Sequence, residues 1–111
     1  MVRTVDNKAF MNPTVGADLT VKFMKQSTDI DTDTTKYMDL PCAKKIQIRS
    51  NKIFKVIKIN GTTLSDPSPS SSTAPEWKID VSGTGALIES VTFQPEEASG
   101  EFNVLGVGGV Y

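Results

Sequence analysis

The dipeptide Asn60-Gly61 constrains this chain more than any other feature. It follows the apolar, β-branched run IFKVIKI at 53–59 and precedes Thr62-Thr63-Leu64. A two-residue type I′ turn needs positive φ at both central positions, and Asn-Gly adopts them at the lowest steric cost. The pair therefore predicts a hairpin tip with a strand before it and a short return strand after. A chain whose firmest local signal is strand-turn-strand belongs with the β classes. Residues 44–67, KKIQIRSNKIFKVIKINGTTLSDP, hold no group suited to covalent or acid–base chemistry.

The rest of the chain repeats the two-residue period. Leu19, Val21 and Phe23 alternate with Thr20, Lys22 and Met24, and Ile46 and Ile48 with Gln47 and Arg49, each a pattern with one buried face. Along 53–59 the phase changes: Phe54 and Val56 face opposite to Ile57 and Ile59, which predicts a strand covered on both sides or one carrying a bulge. Trp77, Ile79 and Val81 alternate with Lys78, Asp80 and Ser82, predicting a half-buried strand with Trp77 in the core. Leu87, Val91 and Phe93 share one face with Glu89 interrupting it, and Phe102 and Val104 open a last strand. Polar or turn-rich segments at 27–35, 65–75, 83–85 and 95–100 separate these runs.

No ten-residue amphipathic helix fits anywhere. Seven or eight short strands at this spacing predict an all-β fold, a single antiparallel β-sandwich or jelly-roll-like domain. Residues 17–104 form that domain in this reading. Residues 1–16 read as an N-terminal arm or edge strand, and 105–111, LGVGGVY, as an extended C-terminal tail. A length of 111 residues suits one domain.

Composition then removes whole classes of chemistry. With no histidine, the Ser/His and Cys/His nucleophile systems and most zinc sites are excluded. Cys42 is the only cysteine, so no disulfide framework exists within the chain, and the thiol reads as a small space-filling hydrophobe. Twelve basic and thirteen acidic residues give a net charge of −1, which is no electrostatic footprint for nucleic acid. Lys44, Lys45, Arg49, Lys52, Lys55 and Lys58 cluster in one segment. They read as the solvated outer face of two strands, lysines that discourage edge pairing, with a patch for an acidic partner protein as the alternative. The first residues lack the apolar run of a signal peptide, and no window approaches the roughly 20 apolar residues of a membrane span. A soluble protein with no membrane partner is expected.

Four features invite a site and do not define one. Asp29, Asp31 and Asp33 have the spacing that opens an EF-hand calcium loop, but Thr34 stands where its glycine belongs and Leu40 where its bidentate glutamate belongs. That leaves an exposed acidic loop, or a looser calcium site at the end of a sheet. Asp80, Glu89, Glu96 and Glu97 lie at turns or strand faces without a glycosidase motif, and Glu96-Glu97 reads as a solvated turn. Asn60-Gly61-Thr62 matches the glycosylation sequon, which the hairpin already explains. Trp77 and Tyr37 could form an aromatic platform for a glycan, although Trp77 is in phase with a core face. No catalytic, cofactor-binding or metal-binding residue is assigned, no cofactor is expected, and the chain reads as non-enzymatic.

The run KIQIRSNKIFKVIKINGTTLSDP, a Ser/Pro loop, the Trp-led strand WKIDV, then IESVTFQP and a final strand near FNVLG resemble small β-domain virion structural proteins of tailed bacteriophages. The pattern is one of strand style and carries no site residues over. The resemblance implies a capsid-decorating, cement or head-fibre-anchoring subunit, or a tail or baseplate accessory. Its partners would be other virion proteins, capsid or tail subunits, with the chain as a homo-oligomer or in many copies on a symmetric particle. Its location would be the virion, assembled in the host cytoplasm, and its two ends would order against neighbouring chains. A glycan-binding β-sandwich module is the alternative from another class.

Overall fold

Each of these alternations that falls on described residues becomes a strand or the flank of one. The structure, a computed structural model, describes residues 2–40, 45–50, 52–63, 76–80, 87–97 and 100–110. They form β1 (Val2–Met11), β2 (Leu19–Lys22), β3 (Thr35–Tyr37), β4 (Lys45–Arg49), β5 (Phe54–Ile59), β6 (Thr62–Thr63), β7 (Glu76–Asp80), β8 (Ser90–Pro95) and β9 (Glu101–Val110). Among the described residues there is no helix, so none is long and apolar enough to cross a membrane. The expected turns in 65–75 and 83–85, and Cys42, lie outside the described residues.

Two sheets result, one of four strands in the order β1-β9-β4-β7 and one of five in the order β3-β2-β8-β5-β6. The apolar faces of both enter one core. Phe10, Ile46, Ile48, Phe102 and Val104 come from the first sheet, and Leu19, Val21, Phe54, Val56, Val91 and Phe93 from the second; all are buried. Four phenylalanines stitch the sheets together. Phe93 packs edge-on to Phe10 at 5.6 Å between ring centroids, Phe54 edge-on to Phe93 and to Phe102 at 5.9 Å each, and Phe93 lies 6.0 Å from Phe102. Edge-to-face pairs add about 0.5–1.5 kcal/mol each beyond the area they bury.

The hairpin forms at Asn60-Gly61 as its sequence requires. Asn60 has φ 54° and Gly61 φ 76°, and Ile59 pairs with Thr62 and Lys58 with Thr63. The phase change in 53–59 proves to be a bulge. The β5–β8 register slips between Val56 and Lys58, which leaves Ile57 as the extra residue and lets Ile59 pack on the core. β4 and β5, neighbours in sequence, belong to different sheets.

Three features depart from the expected pattern. β2 and β3 run parallel, Thr20 opposite Thr35 and Lys22 opposite Tyr37, in a sheet otherwise antiparallel. The connection between them, about a dozen residues, has the length a parallel crossover needs. In the run before β8, Ile88 is buried and Leu87 is 39% exposed, the reverse of the expected face. The chain there is held outside the regular ladder until Ser90, so the two-residue phase begins later than Leu87.

The third departure concerns the ends. Residues 2–11 and 101–110 pair with each other over ten antiparallel positions, from Val2 opposite Val110 to Met11 opposite Glu101. β1 is thus an edge strand, and residues 105–110 of the expected tail continue β9. Gly106 shows why this tail needs glycine. A Cβ there would lie 2.7 Å from Phe23 Cε1 and 2.9 Å from Leu40 Cδ1. Its small size lets the 23–40 segment close over β9.

Candidate functional surface

The acidic loop does not gather its carboxylates on one point. Asp29 Oδ2 accepts the Gln26 N–H at 2.8 Å while Asp29 N–H donates to the Gln26 carbonyl at 3.0 Å. Asp31 Oδ1 accepts the Tyr37 N–H at 2.9 Å, and its Oδ2 meets Lys8 Nζ at 3.2 Å. Slight burial pushes the Asp31 carboxyl up, but the Tyr37 N–H bond and the Lys8 and Lys36 charges outweigh it and hold the group below its ordinary value of 3.8. Among the described residues no three His, Cys, Asp or Glu side chains are placed to hold a metal ion together. The loop works instead as a tie between β3 and β1.

The hairpin tip carries a second tie that the turn signal did not announce. Asn60 Oδ1 accepts the Glu89 N–H at 2.6 Å and the Ser90 N–H at 3.2 Å, and Asn60 Nδ2 donates to the Leu87 carbonyl at 2.9 Å. Gly could supply the positive φ but none of these bonds, which explains why asparagine precedes Gly61. Glu97 is exposed in its turn as expected and adds a tie, its Oε2 accepting the Ile53 N–H at 2.9 Å. Its neighbour Glu96 keeps to that reading, with Oε1 3.9 Å from Lys55 Nζ on the surface, a separation worth little in water.

The basic residues that cluster in sequence are divided by the fold. Lys45 and Arg49 belong to β4 in the four-stranded sheet, while Lys55 and Lys58 belong to β5 in the other. Lys44 lies outside the described residues. Of the aromatic pair, Tyr37 is half-buried on β3. The backbone of Trp77 pairs with that of Ile48, but its side chain, and with it the expected core role, lies outside the described part.

A cleft of about 310 Å³ opens where β1 ends, lined by Phe10, Met11, Leu19, Asp33, Thr34 and Lys36. Lys36 Nζ stands 5.6 Å from the centroid of the Phe10 ring, within cation–π range. An ammonium and a carboxylate on a mainly polar wall can orient a polar group; they form no nucleophile–base pair.

The remaining distinctive surface is the outer edge of β1. The Asn12 N–H donates to the Gly100 carbonyl at 2.8 Å, which carries the β1–β9 ladder past its end on even-numbered positions. In an antiparallel pair the alternate residues turn their N–H and C=O groups the other way, so Val5, Asn7, Ala9 and Met11 present theirs to the open edge. Consistently, the Asn7 N–H donates to Asp6 Oδ1 at 2.9 Å instead of to β9. Val5 and Met11 are 57% and 64% exposed, and among the described residues no strand lies on that side. The alternation around Asp6 and Asn7 was not singled out in sequence, because a polar pair flanked by Val and Lys has no strong phase.

No known protein family, curated protein or solved structure matches this chain.

Proposed function

We propose that this chain is a non-enzymatic virion structural protein of a tailed bacteriophage, a capsid-decorating, cement or head-fibre-anchoring subunit that binds neighbouring virion proteins. The finer architecture that belongs to this reading is a mainly antiparallel β-sandwich or jelly-roll-like domain. The observation that carries it is how the described loops use their polar groups. Asp29, Asp31, Asn60 and Glu97 each bind backbone N–H groups of the same chain: Asp31 and Asn60 tie loops to strands, Asp29 closes its own turn, and Glu97 joins the turn after β8 to the residue before β5. This is the construction of a rigid block that works through its outer surface. A long open edge with exposed apolar residues supplies such a surface, and symmetric repetition multiplies a modest contact into a stable shell.

The test is quantitative mass spectrometry of purified particles. The chain is expected in many copies per particle, in a simple ratio to a capsid or tail subunit. Its absence from particles, or turnover of a small substrate by the purified chain, would overturn the proposal.

A further inference from the structure

The open edge of β1 is self-complementary, and we infer that it pairs antiparallel with β1 of a second copy across a two-fold axis at Asn7. For its biological use the contact rests on the assembly reading above; its geometry does not. Outward backbone groups belong to the odd residues, so a hydrogen-bonded pair must join odd to odd, and a two-fold axis makes the paired numbers sum to a constant. An axis at Asp6 sets Asp6 opposite itself, and an axis at Lys8 sets Lys8 opposite itself. Both place like charges together, which is unfavourable directly across a strand pair.

An axis at Asn7 sets Asn7 opposite itself, Val5 opposite Ala9, and Asp6 opposite Lys8 on each side of the axis. Asp6 and Lys8 then occupy non-hydrogen-bonded positions, where side chains approach most closely. Val5, 57% exposed in the single chain, gains an apolar neighbour in Ala9 of the other copy. Asn7 exchanges its bond to Asp6 Oδ1 for the backbone of its counterpart. Asp6 Oδ1 turns to the incoming Lys8, whose ammonium is shared with Asp31 of its own chain at 3.2 Å, while Asp6 Oδ2 keeps the Asp39 N–H at 2.9 Å. The two four-stranded sheets become one continuous sheet of eight, and each copy retains its own β1–β9 ladder. The partner is a second copy of this chain because the charge pattern of β1 answers itself. Such a contact is small, so the dimer is weak in free solution and gains from the high local concentration of an assembly.

Sedimentation equilibrium on the full chain tests the pairing. A reversible dimer is expected, and Val5→Pro weakens it at least about tenfold without altering far-UV circular dichroism. Proline there removes an outward N–H and leaves the β9 ladder whole. A second variant does not depend on proline being tolerated. With Cys42→Ser as background, Asn7→Cys places two thiols across the axis, at a Cα separation of about 5.5 Å that a disulfide can span. Mild oxidation should convert it to a covalent dimer, whereas Ile30→Cys, on an exposed loop, stays monomeric. A full chain that is monomeric at millimolar concentration, a dimer untouched by Val5→Pro in a folded variant, or an Asn7→Cys chain that cross-links no faster than Ile30→Cys would overturn the inference. Each result leaves the particle measurement independent.

Discussion

At Gly61 the backbone holds φ 76°, and a Cβ added there would meet nothing within 4 Å. Any cost of a side chain at this position is therefore conformational and not steric crowding. Gly61→Val should lower stability by about 1–2 kcal/mol, because a β-branched residue is strained in the left-handed region. Thermal denaturation would show this as a Tm lower by several degrees. Asp31 gives a second prediction, of opposite character. Its folded-state carboxyl is held below 3.8, so the folded protein takes up that proton only at a pH lower than the unfolded chain does. The stability it contributes is complete above the unfolded value and disappears as pH falls from there through the folded value. Asp31→Asn should lower Tm at neutral pH and reduce the fall in Tm between neutral and strongly acid solution. A variant with the same acid slope as the parent would show that the Tyr37 and Lys8 contacts do not favour the ionised form.

At the scale of strands, Gly106 decides how closely the 23–40 segment lies on β9. Gly106→Ala pushes a methyl against the Phe23 ring edge and the Leu40 methyl, and should cost about 1–3 kcal/mol, as overpacking does. Urea denaturation measures it, and the companion Phe23→Leu should recover part of the loss. The same residue shows where sequence legibility stops. Glycine spacing in LGVGGVY reads as a flexible end, because the atoms that demand a glycine at 106 come from residues far away in the chain. Leu19, Val21, Ile46, Ile48, Phe54 and Val56 were legible because their burial follows from local alternation. The irregularity at Ile57 was legible for the same reason, as a break in that alternation that left a strand covered on both sides and a bulge both open. The parallel β2–β3 pair was not, since strand direction depends on where a polar connection returns. Nor were the bonds of Asn60 and Glu97, which join residues 27 to 44 positions apart.

For the whole molecule, Phe93 is the keystone of the core, touching phenylalanines of β1, β5 and β9 and fully buried. Phe93→Ala should cost about 3–5 kcal/mol, a large share of the roughly 5–15 kcal/mol that holds a domain together. Chemical denaturation should find it near the limit of folding. Terminal arms ordered only by neighbours would be dispensable for the fold; the β1–β9 pairing makes the opposite expectation. Deleting residues 1–11 removes Phe10 from the core and uncovers β9, so the truncated chain should lose its cooperative melting transition. The ten-position ladder also sets how the molecule bears load. Val2 faces Val110 at one end of it, so tension applied through these two residues meets one backbone pair at a time. The strands part like a zipper, at low force. Tension applied through the far ends of the same two strands, at Met11 and Val110, loads the pairs together in shear and meets much greater resistance. A neighbour that grips this protein at Val2 and Val110 can peel the ladder open, whereas one that grips along its length cannot.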